Sequence, residues 1–266
     1  MLIAAAPTIS CDIPEFDPPN IIKTQRILAI RTEPREAAPG DTVTVTGLAV
    51  NDDGTEYVGP IAWIVTGTVQ LTYGEETEPG EVPQGETYLQ IPGGPPFTFT
   101  IPEGAAFEEQ YGDYYADGTV LTVAMAIGDQ NDPTIGVKSM IVMDEPVKEN
   151  PVFKKLHVIV EGEETEADEG GLYPIGEGGQ IKLVADADFP TGDDDTYHWF
   201  TATEGSSSTW SGTPRGTCRK KSDVYDLYCV VRENSRTTIR DGQYRIQSSG
   251  LDWKHIRVEV ASGEDR

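Results

Sequence analysis

Basic residues are missing over a long stretch of this chain. Between Arg35 and Lys138 there is no Lys or Arg, while 17 Asp and Glu fall in the same interval. All 266 residues together hold 20 Lys and Arg against 45 Asp and Glu, a formal net charge of −25. Binding to a phosphate backbone needs clustered positive charge, so a nucleic-acid partner is not expected. The few cations gather late: residues 1–200 hold 9 against 36 acids, and residues 201–266 hold 11 against 9. Charge of one sign keeps a chain soluble and suits a hydrated exterior surface. The sharper reading is a face for divalent cations or a basic partner.

Long apolar runs are also absent. No window reaches the roughly 18 apolar residues of a spanning helix. Histidine is scarce: His157, His198 and His255 each fall in a strand candidate, without metal-ligand spacing. There is no Gly-x-Ser-x-Gly nucleophile turn and no Gly-rich phosphate loop ahead of a helix. Acid pairs are so common that none stands out. Glu108-Glu109 beside Tyr111 could act as acid and base, but glycoside hydrolysis needs two carboxyls about 5–9 Å apart across a cleft, and no cleft is legible. The chain is read as non-catalytic.

Cysteine is limited to Cys11, Cys218 and Cys229. Cys218 and Cys229 bracket a polar run, Arg219-Lys220-Lys221-Ser222-Asp223, and Cys229 lies in the apolar run Leu227-Tyr228-Cys229-Val230-Val231. A disulfide between them would staple a turn to a strand, close a short loop and require an oxidising compartment; the alternative is two free thiols. Cys11 follows the apolar, small-residue stretch Met1–Ser10 and precedes a Pro-rich tether, Asp12–Pro19. That arrangement is similar to the end of a bacterial lipoprotein signal, with Cys11 as the lipidated residue, although Thr8 departs from the usual Leu and no basic region precedes it. An ordinary N-terminal arm is the other reading. A lipid there would anchor the protein to a membrane without spanning it.

What the sequence does have is alternation. Strand candidates are Arg26–Glu33, Thr42–Asn51, Ile61–Thr66, Thr68–Tyr73, Thr98–Ile101, Thr119–Ile127 and Val137–Met143, then Phe153–Glu161, Gln180–Ala187, Tyr197–Ala202, Tyr225–Arg232, Gln243–Gln247 and Trp253–Val260. Gly, Pro, Asn and Asp separate them, and no stretch has a helical period. The two halves share one plan. Gly40–Val45, Asn51–Gly54 and Ala62-Trp63-Ile64 correspond to Gly179–Val184, Asp193–Asp195 and His198-Trp199-Phe200. Asp144–Pro151 is polar, bracketed by prolines, and reads as a linker. The expected fold is all-β: two tandem Ig-like (PKD-like) β-sandwich domains with an extended N-terminal arm. The arm and tether span 1–22, the first sandwich 23–146 with a long acidic insertion (74–96), and the second 150–262. Trp63 and Trp199 are expected to fill the spaces between sheets.

The segment Gln25–Val43 resembles the opening of uncharacterised surface lipoproteins of myxobacteria and related deltaproteobacteria, which start with a cysteine, a Pro-rich stretch, a similar strand and a Pro-Gly turn. The segments Tyr197–Phe200 and Tyr228–Glu233 are similar to the PKD/Ig-like modules of such proteins. The resemblance implies an envelope location and Ig-like modules, and supplies no catalytic residues.

Two constellations remain. Asp186, Asp188, Asp193, Asp194 and Asp195 gather around a Pro-Thr-Gly turn and offer hard oxygens to calcium, the one cofactor considered, or form a hydrated acidic turn. Tyr111, Tyr114 and Tyr115 lie among acids in a segment read as a loop, suited to a glycan or a protein surface, or folded back on its own sandwich. The leading expectation is a non-catalytic, exported envelope or cell-surface protein, lipid-anchored in the outer membrane or at the cell surface, acting as a structural or protein-interaction module. The competing one is a glycan-binding adhesin stiffened by calcium.

Overall fold

The structure, a computed structural model, describes residues 22–67, 86–113, 118–160, 162–168, 171–175, 180–191, 195–201, 215–219, 224–240 and 244–260. Strands β1 (Arg26–Glu33), β2 (Thr42–Val50), β3 (Ile61–Gly67), β4 (Glu86–Gln90) and β5 (Phe97–Thr100) precede a short helix, α1 (Ala105–Tyr111), and then β6 (Thr119–Asp129) and β7 (Asp132–Val142). They form two sheets, ordered β1-β2-β5 and β4-β3-β6-β7, antiparallel throughout. A parallel bridge from Ala37 to Val142 ties the segment after β1 to the opposite sheet.

The core of this sandwich follows from period-two alternation. Val43 and Val45 of β2, Trp63 and Val65 of β3, and Leu121, Val123, Met125 and Ile127 of β6 all face the space between the sheets. Trp63 lies opposite Met125 in register and is fully buried, with its indole N–H donated to Gln90 Oε1 at 2.8 Å. It is internal filler, as the sequence suggests. Gly47 faces the same space: a Cβ there would lie 2.3 Å from Met125 Sδ, so only glycine lets β2 pass this close.

The second sandwich uses β8 (Val152–Val160), β9 (Glu163–Glu166), β10 (Leu172–Ile175), β11 (Gln180–Asp188), β12 (Asp195–Thr201), β13 (Arg215–Arg219), β14 (Val224–Arg240) and β15 (Tyr244–Val260). Its sheets run β13-β11-β8-β9 and β10-β15-β14-β12, with β10 parallel to β15. Leu156, Val158, Leu183, Trp199, Leu227, Cys229, Val231, Ile256 and Val258 fill the space between them. Both halves therefore repeat one Ig-like plan, in which the final hairpin pairs with the Trp-bearing strand.

Four expectations are corrected. Ala105–Tyr111 is helical, not loop: seven residues are too few to display a period, yet Ala, Glu and Gln favour helix. Phe107 and Tyr111, one turn apart, pack edge-on at 5.4 Å, and Gly112 ends the turn at φ 87°. The segment 74–96 contains β4. Gln243–Gln247 and Trp253–Val260 belong to a single strand, β15. The edge strands β9, β10 and β13 were not foreseen. Thr68–Tyr73 and the N-terminal arm before residue 22 lie outside the described residues.

The two sandwiches do not hang on a bare linker. A third apolar cluster joins them: Ile22, Ala29, Leu48 and Val50 of the first meet Tyr228, Val230 and Leu251 of the second, with Leu28, Phe200 and Trp253 at the edge. Leu48 and Val50 alternate with Ala49, which faces the first core, so the end of β2 is buried on both faces. In the same way Tyr228 and Val230 alternate with Cys229 and Val231. A bulge at Ile27/Ala29 turns both Leu28 and Ala29 to the shared cluster. The outer face of β1-β2 thus lies on the outer face of β12-β14-β15. At about 1.5–3 kcal/mol for each large apolar side chain fully removed from water, this contact is a substantial part of the fold.

Candidate functional site

Polar groups frame the shared cluster. Arg35, just after β1, and Glu233, in β14, have no accessible side-chain surface and form an ion pair between Nη1 and Oε2. The other oxygen, Glu233 Oε1, accepts the Thr191 N–H at 2.8 Å. Arg31 Nη1 reaches Asp252 Oδ1 at 3.1 Å, and Asp252 Oδ2 accepts the Phe153 N–H at 2.8 Å. Asn150 bridges both modules, donating to the Thr32 carbonyl at 2.9 Å and accepting the Leu251 N–H at 3.2 Å. The Tyr228 hydroxyl donates to the Gly54 carbonyl at 2.9 Å, and its ring stacks on His255 at 4.6 Å. Gly250 sits where a Cβ would meet Arg35 Nη1 of the first module at 3.0 Å, besides Pro151 Cδ at 2.5 Å, so the modules touch backbone to side chain there.

Beside this frame a cavity of about 430 Å³ opens between the modules. Its apolar wall includes Leu28, Ala29 and Ile30 of β1, Phe200 of β12, Val230 of β14 and Leu251 of β15. Its polar wall is Lys138 and Ser139 of β7, His198 of β12, Arg232 of β14 and Ser249 of β15. Alternation explains Lys138. It shares a face with Met140 and Val142, which are in the first core. A lysine on that face must run its stem along apolar surface and bring its ammonium out at the seam between β1 and β7. There Nζ donates to the Ser249 carbonyl, with Ser249 Oγ at 3.4 Å.

The electrostatics are unusual for so acidic a chain. Burial, with Arg232 and Arg35 adding repulsion, pulls the Lys138 ammonium from 10.5 to about 7, against an opposing pull from Glu36. Burial, and then Arg232, lowers His198. Burial also lowers Arg232. The buried Arg232 Nε has no hydrogen-bond partner among the described residues. Glu36 Oε2 accepts the Val147 N–H at 2.7 Å while its buried Oε1 has no partner among the described residues, and Glu233 holds Arg35. The lining thus presents three nitrogen bases and no carboxylate. An apolar pocket with a few convergent polar groups of shifted pKa is the physical pattern of a small-ligand site.

The residues singled out in the sequence lie elsewhere. Tyr111 is partly buried against the first core. Tyr114 and Tyr115 fall outside the described residues, as do Cys11, Asp193, Asp194 and the side chain of Asp195. Asp186 and Asp188 are exposed on β11, and Asp188 pairs with Lys154 at 2.5 Å. Among the described residues no group of three or more His, Cys, Asp or Glu could hold a metal ion. Cys229 is a free, buried thiol pushed well above its ordinary pKa by burial. Cys218 is placed by register opposite Ile181 in β13, and its side chain lies outside the described residues. The two cysteines therefore belong to different sheets of the second sandwich, not to one turn and its strand. Alternation along β12 turns His198 to the face opposite Trp199, and its imidazole lines the cleft. The cleft itself draws on five strands of both modules, and no short motif announces it.

No protein-family description matches this chain, and no curated protein matches it. Among solved structures it is similar to three N-terminal domains of the highly immunogenic outer capsid protein (Hoc) of bacteriophage RB49, at 10% identity and a TM-score of 0.28, over 90% of this chain and 71% of that one. It is also similar to dimeric latent PorU from Porphyromonas gingivalis, at 12% identity and a TM-score of 0.26, over 91% of this chain and 24% of that one.

Proposed function

We propose that this is a non-catalytic, exported envelope or surface protein, tethered by a lipid at Cys11, whose two Ig-like modules form one stiff unit that spaces and presents a partner. The observation that supports this reading most is the shared interface. An apolar cluster, the enclosed Arg35–Glu233 pair and the Asn150 bridge hold the modules in one relation. Tandem modules on a polar linker would move independently by default; a large apolar contact with an enclosed ion pair at its edge removes that freedom. A spacer needs this stiffness, since a fixed separation lowers the entropic cost of engaging a partner.

The test has two arms. Spin labels on exposed Glu56 and Lys182, one in each module, are expected to give a single narrow distance distribution; a broad one would overturn the stiff-unit reading. In the native host, labelled palmitate is expected to enter the protein and disappear with Cys11→Ser, and protease added to intact cells is expected to degrade it. Incorporation that survives Cys11→Ser, or full protection, would overturn the anchored surface reading.

A further inference from the structure

The cleft between the modules has a composition that rigidity alone does not require. Lys138, Arg232 and His198 converge on one cavity in a chain of net charge −25, and the residues lining that cavity include no acid. We propose that this cleft binds a small carboxylate with a short apolar body. Arg232 offers a planar fork suited to a carboxylate. The Lys138 ammonium has three donors, and Ser249 is its partner here. Ser139 adds an exposed hydroxyl at the rim, and His198 a further polar group in the lining. Opposite them, Leu28, Phe200, Val230 and Leu251 make an apolar wall for the rest of the molecule. A volume near 430 Å³ holds about 14 non-hydrogen atoms at the ~30 Å³ a water claims in the liquid. That volume suits the body of a small acid.

The charges around Lys138 show why an anion is favoured there. Arg35, Arg232 and His198 lie on the basic side, and Glu36 and Glu233 on the acidic side. Glu233 is committed to Arg35, which leaves the single charge of Glu36 to face Lys138 and Arg232. A carboxylate entering the cleft adds a negative charge to that of Glu36 and favours the ammonium form of Lys138, so Lys138 takes a proton from solvent when binding occurs above neutral pH. Because β1 and β7 belong to one module and β12, β14 and β15 to the other, the ligand also bridges the interface.

Calorimetric titration of the full chain with benzoate and hexanoate, with benzamide and hexanamide as neutral counterparts and sulfate as the bodiless anion, tests the proposal. Saturable binding of the acids is expected, with the amides at least about tenfold weaker, the ~1.4 kcal/mol of one lost charge-assisted contact. At pH 8, repeating the titration in buffers of different ionisation enthalpy is expected to reveal proton uptake on binding. Arg232→Gln should weaken the acids about tenfold. Should that variant unfold, Ser139→Trp is the second probe: the exposed Ser139 sits at the rim, and an indole there should block the cleft while the circular dichroism spectrum is unchanged. No saturable binding of either acid, equal binding of acids and amides, sulfate binding without carboxylate binding, or acids that bind folded Ser139→Trp unchanged would each overturn it.

Discussion

Arg35 and Glu233, 198 positions apart in sequence, meet as an ion pair with no accessible surface on either side chain, one from each sandwich. The pair is isolated from solvent, so each charge depends on the other. Glu233→Ala is expected to destabilise the chain by about 3–5 kcal/mol, because an uncompensated guanidinium is left enclosed. Replacing both partners, Arg35→Met with Glu233→Leu, should recover most of that loss. Urea unfolding of the four species as a double-mutant cycle measures it, and equal destabilisation of single and double variants would contradict the coupling.

Lys138 sets a pH dependence. Its folded pKa is about 7, while the unfolded chain holds the proton until about 10.5. Between those values the unfolded state binds more protons, so this group makes stability rise with pH from about 7 upward. Above pH 10 Tyr228 acts the other way, since burial and then Asp226 raise its pKa and the folded state keeps its proton longer. Urea midpoints taken from pH 6.5 to 10 are expected to climb in the native chain and to climb less in Lys138→Met. Parallel slopes for the two would show that Lys138 is not the group responsible.

The Cys229 thiol, free in this structure, is expected to be oxidised on export, so that exported protein yields a Cys218–Cys229 cross-link on non-reducing peptide mapping. Register puts Cys218 opposite Ile181 in one sheet and Cys229 opposite Trp199 in the other. The bond would then cross the sandwich instead of pinning a turn. Recovery of two alkylatable thiols from exported material would refute it.

Residues 150–266 expressed alone should unfold cooperatively but at lower urea than the full chain, and should self-associate. Without the first module, Phe200, Tyr228, Val230, Leu251 and Trp253 lose the apolar face they pack on. Sedimentation and urea unfolding check this; a monomer as stable as the full chain would mean that the shared cluster adds little.

The sandwiches were legible because alternation is a local signal. Thr42-Val43-Thr44-Val45-Thr46 announces a half-buried strand without knowledge of its partner. The stacking of modules was written in the same strands but went unread. At Leu48-Ala49-Val50, and again at Leu227-Tyr228-Cys229-Val230-Val231, alternation gives way to unbroken apolar residues. That change marks a strand covered on both faces. It could have located the interface, though not which two faces meet. The cleft was illegible for a different reason. Lys138, His198, Arg232 and Ser249 are spread over 112 positions in four strands, and only register brings them together. In sequence, Lys138 is merely the cation that ends a long acidic stretch.

Ile22 is wedged into the seam, and its N–H donates to the Thr201 carbonyl at 2.8 Å. The first described residue of the chain is therefore fastened at the waist of the molecule and not at one of its poles. Were the proposed lipid tether to pull there, both halves would share the tension at once, and a body leashed at its midpoint would turn its flank, rather than an end, toward whatever holds the leash.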